Sequence, residues 1–271
     1  MKPMYPAGLV LLATCGVSVL APLQARAQEG GQDGYRLELG AAALYRPEYK
    51  GSNDYEVAPL PYVSFRYSRG DRYVGFAGGL LRANIVPGGL FEFGPLVSFE
   101  RGRDDDIENL PVRRLGEIDD TLMAGVFISR DIDLGEDSGF QIGAEVLTDT
   151  GDANEGVMAK IEAGYHRRLA DRWTVMLGAS TTWADENYMQ TYYGVTPAGA
   201  LASGLTAYTA DSGFENVELS AALRYRVNDD WSVLGRASYQ RLLDNASDSP
   251  VVQRGGSENQ GQVALVIIRT F

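Results

Sequence analysis

Segments of nine to eleven residues in which every second side chain is apolar, with an aromatic at each end of the apolar row, recur along this chain and leave it few possible folds. In the segment from Trp231 to Gln240, Trp231, Val233, Gly235, Ala237 and Tyr239 share one face of an extended strand, and Ser232, Leu234, Arg236, Ser238 and Gln240 share the other. Trp173, Val175, Leu177, Ala179, Thr181 and Trp183 repeat the design, as do Tyr35, Leu37, Leu39, Ala41, Ala43 and Tyr45. A tilted strand crosses a bilayer in about 9–11 residues and needs only one apolar face. Aromatics at both ends of that face fit two interfacial belts. Strands of a soluble sandwich also alternate, but typically run only about 5–6 residues. The pattern predicts an all-β chain folded as a closed antiparallel transmembrane β-barrel.

Further strands are expected near 57–68, 90–100, 121–130, 139–148, 157–168, 214–227 and 260–271, separated by Gly, Asp, Asn and Pro clusters. Long loops fall at 46–56, 102–119, 185–213 and 243–258. Outer-membrane barrels keep short turns on the periplasmic side and long loops outside, with an even number of strands. Treating 72–86 as one strand gives an odd total and puts the 46–56 loop on the wrong side. Splitting it at Gly78-Gly79, into Arg72 to Ala77 and Leu80 to Val86, gives twelve strands (within a range of 10–14) and sends all four long loops outward. Pro59 and Pro61, two apart, remove two donors from the same edge of the second strand and are expected at the outer rim, beyond regular pairing.

The faces opposite the apolar rows carry Arg36, Arg66, Arg82, Lys160, Arg168, Arg224, Arg226 and Arg236, with Glu38, Glu92, Glu100, Glu145, Glu162 and Glu218. An Arg or Lys facing lipid at mid-membrane costs about 2–4 kcal/mol. These side chains are therefore expected to face the lumen as a cross-lumen charge network. Such a network fills a plugged lumen; a narrow water path through twelve strands is the alternative.

The first 27 residues read as an export signal: Lys2, an uncharged apolar run from Ala7 to Leu20, then Ala25-Arg26-Ala27 with the cut before Gln28. That run is short of the roughly 20 residues a spanning helix needs. Cys15, the chain's only cysteine, lies inside it, after Thr14 rather than the small residue of a lipoprotein signal. A mature chain without cysteine has neither disulfides nor a thiolate metal site. Removing Lys2 and Arg26 leaves 22 of the 24 basic side chains against 36 acidic ones, a net charge of −14. That balance excludes a nucleic-acid partner, which calls for a basic surface.

Little in the chain points to chemistry, and no catalytic, cofactor or metal site is expected. His166 is the only histidine and the only ready general base. Alternation puts it on the lumen face near a periplasmic turn, away from any substrate at the outer leaflet. Asp104-Asp105-Asp106-Ile107-Glu108 lacks the spacing and central Gly of a calcium-binding loop; a solvated acidic loop is the simpler account, and weak divalent-cation binding near lipopolysaccharide the sharper one. Val263, Leu265, Ile267 and the terminal Phe271 resemble the C-terminal signal read by the barrel-assembly machinery. Arg269 stands where an aromatic is usual and is expected to snorkel to the interface.

Three blocks complete the sequence. They are Leu44-Tyr45-Arg46-Pro47-Glu48-Tyr49-Lys50-Gly51-Ser52-Asn53-Asp54-Tyr55, followed by Pro59-Leu60-Pro61; Tyr193-Gly194-Val195-Thr196-Pro197, with Ser203-Gly204-Leu205 and Tyr208; and Arg241-Leu242-Leu243-Asp244-Asn245-Ala246-Ser247-Asp248-Ser249-Pro250, then Gly256-Ser257-Glu258-Asn259-Gln260. In this order they resemble the MipA/OmpV family (MltA-interacting protein). The resemblance implies a Gram-negative outer-membrane barrel in contact with lipid and lipopolysaccharide. It also implies a non-enzymatic scaffold joining a lytic transglycosylase to a murein synthase; other members are tied to adhesion, osmotic response or drug susceptibility. It carries over no catalytic residues. From the residues themselves, a small-solute channel and an adhesin using the acidic outer loops stay open beside the scaffold.

Overall fold

The computed structural model describes residues 33–271 apart from Gly89, so the expected signal peptide, residues 1–27, and the cut before Gln28 lie outside the described residues. Twelve strands form one closed antiparallel barrel in which each strand pairs with its neighbours in sequence and the last returns to the first. They are β1 (Gly34–Pro47), β2 (Tyr55–Arg69), β3 (Arg72–Ala77), β4 (Leu80–Asn84), β5 (Glu92–Glu100), β6 (Thr121–Asp133), β7 (Ser138–Asp149), β8 (Val157–Ala170), β9 (Trp173–Ala184), β10 (Gly213–Arg226), β11 (Trp231–Leu242) and β12 (Asn259–Thr270). The closing seam runs in continuous register from Glu38 opposite Thr270 to Tyr45 opposite Val263.

The alternation sorts as expected. Leu39, Ile161, Leu177, Leu219 and Leu265 point outward and are exposed on the barrel wall. One aromatic belt includes Tyr45 stacked on Tyr55, with ring centroids 4.9 Å apart; the other includes Trp173 against Tyr225 at 4.5 Å. All four long loops leave the same end, which is therefore the outer one. They carry five short helices: α1 (Leu110–Arg113), α2 (Glu186–Tyr193), α3 (Pro197–Ser203), α4 (Asp244–Asp248) and α5 (Pro250–Gln253).

The split at Gly78-Gly79 is real. Both glycines have positive φ, 59° and 83°, the geometry of a tight two-residue hairpin turn, in which a glycine carries no Cβ penalty. The resulting hairpin is short, with six residues in β3 and five in β4. β3 pairs with β2 only from Ser64 to Arg69, so, among the described residues, 55–63 of β2 pair on the β1 side alone.

Pro59 and Pro61 correct one expectation. They sit within regular pairing, opposite Ala43 and Ala41 of β1, not beyond it. The ladder to β1 runs unbroken through both, so their missing N–H groups belong to the other edge, where β3 has already ended. A second local departure is a bulge between Phe214 and Asn216 of β10. It breaks the alternation and turns both Glu215 and Asn216 inward, where they are buried.

Candidate functional site

Charged side chains on the faces opposite the apolar rows form local groups. Glu38 accepts a hydrogen bond from Arg224 Nη2 at 2.8 Å and from Tyr62 Oη at 3.2 Å, with Arg36 Nε 3.6 Å away. Arg236 Nη2 lies 2.9 Å from Glu218 Oε1, and Lys160 Nζ 3.8 Å from Glu162 Oε2. Glu145 stands opposite Lys160 in the β7–β8 register. Glu92 accepts from Tyr73 Oη at 2.8 Å, and the Arg66 guanidinium lies over the Tyr73 ring at 3.6 Å. Arg226 is exposed at the periplasmic mouth, where Nη2 donates to the Asp171 carbonyl at 2.6 Å. Apolar side chains fill much of the space between, among them Leu96, Met123, Phe127, Leu147 and Met158.

The outer mouth is closed by the protein's own loops. Asp185 caps α2 by accepting from the Tyr188 N–H at 3.0 Å, and the helix buries Tyr188, Met189, Tyr192 and Tyr193 against the luminal apolar cluster. Lys50, on the β1–β2 loop, reaches the same point. Its Nζ lies 2.5 Å from Glu100 Oε1 and 3.4 Å from Glu215 Oε1, and it bonds the Tyr188 hydroxyl. It also stands 4.7 and 4.4 Å from the ring centroids of Tyr188 and Tyr192, within cation–π range. Tyr188 Oη donates to Glu100 at 3.1 Å, and Tyr193 Oη to Glu215 at 2.8 Å. Burial, then the charges of Glu100 and Glu215, push the Tyr188 phenol well above its ordinary range, which keeps it a donor.

The three sequence blocks converge in this cap. Tyr49, Val195, Leu205 and Val251 share one buried cluster with Ile107 and Val112. Ser52 bridges to Gly256, and Gln260 Nε2 donates to the Ser52 carbonyl at 2.9 Å. Ser249 Oγ donates to the Tyr193 carbonyl at 2.5 Å, and Tyr208 Oη to the Asn245 carbonyl at 2.9 Å. Gly51 has φ of 91°, and a Cβ there would meet Val252 Cγ2 at 2.5 Å. Gly51, Asn245 and Gly256 of the three blocks thus take part in one lid. In the same lid Arg103 donates Nε and Nη2 to the Gly116 carbonyl at 3.2 Å each, and burial brings its guanidinium down to about 10.

Among the described residues, two cavities mark the two ends of the axis. One of about 50 Å³ lies under the lid, between Lys50, Glu100, Glu145, Lys160, Tyr188 and Glu218. It has room for little more than water. The other, about 160 Å³, is a pit in the periplasmic mouth, walled by Arg36, Arg168, Arg172, Arg224 and Arg226 with Asp171, Asp229 and Asp230.

The remaining expected sites are placed as follows. His166 faces the lumen beside Gly139, its Nδ1 buried with no hydrogen-bond partner among the described residues. In the acidic loop Asp104 pairs with Arg101 at 2.9 Å, and Ile107 is buried in the lid. Among the described residues no group of three or more His, Cys, Asp or Glu side chains is placed to hold a metal ion. Val263, Leu265, Ile267 and Phe271 are exposed, and Arg269 lies 4.8 Å from the Phe271 ring and 5.8 Å from Trp231. Sequence reasoning missed Lys50, Tyr188 and Glu215. Lys50 left one signal, being one of only three lysines in the chain and set in an acidic loop.

Fold and lumen together define a transmembrane β-barrel of the outer-membrane type, filled by its own side chains and lidded by its own loops. A solved outer membrane channel from Pseudomonas putida F1 shares the fold, with a TM-score of 0.52 over 90% of this chain and 98% of that one, at 10% identity. The family described as MltA-interacting protein MipA matches residues 39–271, and the chain belongs to it. It is 30% identical to the MltA-interacting protein of Escherichia coli K12 over 226 residues, 81% of this chain and 84% of the relative, and equally to that of Shigella flexneri.

Proposed function

We propose that the protein is a non-enzymatic outer-membrane scaffold that holds cell-wall enzymes, a murein hydrolase and a murein synthase, at its periplasmic mouth. The name of its relatives, MltA-interacting protein, supports a protein partner over a solute. The observation that carries the site is the contrast between the two ends. The outer mouth is sealed by α2 and Lys50, while the periplasmic mouth opens into a pit with five arginines against three aspartates. A partner presenting an acidic segment meets complementary charge there. The periplasmic turns are short, so the partner must come to the pit rather than to a projecting domain. A narrow solute channel draws less support, because the space under the lid is only about 50 Å³. We further infer export by the signal peptide and assembly through Val263, Leu265, Ile267 and Phe271.

The test is crosslinking in intact cells followed by identification of trapped partners, with wild type and an R172E/R226E variant. The expected result is capture of a murein hydrolase by wild type and loss of capture by the variant at equal barrel abundance. Equal capture by both would discard the pit as the docking site. No cell-wall enzyme captured by wild type would discard the scaffold.

A further inference from the structure

The strand ladder of the barrel wall has a window, where pairing between β2 and β5 is missing above the β3–β4 hairpin. On β1 the aromatic belts stand at Tyr35 and Tyr45, so Gly40 marks mid-membrane, and Tyr62 pairs with it. The β3–β4 hairpin reaches only Ala77, opposite Ser64, on one side and Leu80, opposite Ser98, on the other. Its tip therefore ends near mid-membrane, and above it no strand lies between β2 and β5 among the described residues. The frame is complete. Phe99 N–H bonds to the Gly79 carbonyl at 3.1 Å at the base, and Arg101 spans the outer rim, with Nη2 3.0 Å from Glu56 Oε1. The opening thus lies at the level of the outer leaflet.

What faces the window narrows its occupant. An unpaired strand edge normally invites another strand. Here Pro59 and Pro61 present no N–H on that edge, so a docking strand finds two adjacent donors missing. The outward side chains are Val57, Pro59 and Pro61, all exposed and all apolar. On the luminal side, the cavity under the lid is lined by Gly78, Leu80, Ser98 and Phe99 where it adjoins the hairpin tip. Apolar surface, absent donors and hydrocarbon depth suit a lipid chain. We propose that the window is a lateral binding site for an acyl chain of an outer-leaflet lipid, which lies along the bare β2 edge and reaches the luminal face at Leu80 and Ser98. The site is independent of the scaffold reading.

The test is spin labelling of the full chain, in a Cys15→Ser background, reconstituted in phosphatidylethanolamine–phosphatidylglycerol vesicles. A nitroxide at Ser98→Cys is compared with one at lipid-facing Leu219→Cys and one at lumen-facing Ser220→Cys. Collisions with oxygen, which partitions into lipid, are set against collisions with a water-soluble nickel chelate. The expected oxygen-to-nickel ratio at 98 matches that at 219 and exceeds that at 220 several-fold. A ratio at 98 equal to that at 220, or a label at 98 that neither reagent reaches, overturns the proposal. If Ser98→Cys does not insert, Leu80→Cys reads the same wall with the same two outcomes.

Discussion

Glu38 and Arg224 are 186 residues apart in sequence and 2.8 Å apart in the lumen, where they tie β1 to β10 past the two strands between them. Glu38 is 1% exposed, and Arg224 is also held by Ser232 Oγ at 3.1 Å. Removing one partner of a buried pair strands the other charge, at a cost of about 3–5 kcal/mol. Arg224→Met is expected to lower the unfolding free energy of the detergent-folded barrel in urea by up to that much, since Arg36 stays 3.6 Å from Glu38, and E38Q/R224M to recover most of it. An unchanged midpoint in the single variant would show that water already reaches Glu38.

Lys50 neutralises two glutamates under the lid. Lys50→Met leaves Glu100 and Glu215 facing each other in a buried site. The lid should then open more often, and proteinase K should cut the 185–212 loop about tenfold faster, an opening easier by roughly 1.4 kcal/mol. Adding Glu215→Gln should return part of the protection. Cleavage at the wild-type rate would mean that the tyrosines alone hold α2.

The sealed lumen predicts a silent barrel in planar bilayers. Deleting residues 186–212 removes α2 and α3 together with Tyr188, Tyr192 and Tyr193 and should produce discrete conductance steps. Steps from the intact barrel would show that the lid does not close the lumen.

At the hairpin tip, Gly78→Ala and Gly79→Ala each force a Cβ into left-handed backbone, a strain of about 1–2 kcal/mol. Either should reduce the folded yield in detergent, and Gly78→Asn should not, since asparagine suits that turn. Equal yields for Ala and Asn would argue against the tight turn.

Strand positions were legible because lipid and lumen impose opposite demands on alternate residues, and the Gly78-Gly79 turn follows from strand parity. The lid was not. Tyr188 and Tyr193 lie on a helix whose inward course depends on contacts with Glu100 and Glu215, 88 and 22 residues away. Glu215 itself sits on the outward phase of alternation and turns inward only through the bulge. Pro59 and Pro61 signalled a missing partner, but not on which edge. Alternation singled out the charged positions, whereas their pairing, such as Glu38 with Arg224 as well as Arg36, depends on barrel closure.

The seam between Glu38–Tyr45 and Val263–Thr270 has a consequence for the cell. Until the final dozen residues arrive, the sheet is an open ribbon with two bare borders. A message truncated anywhere upstream of β12 therefore yields no smaller working version, only a product for proteases to clear.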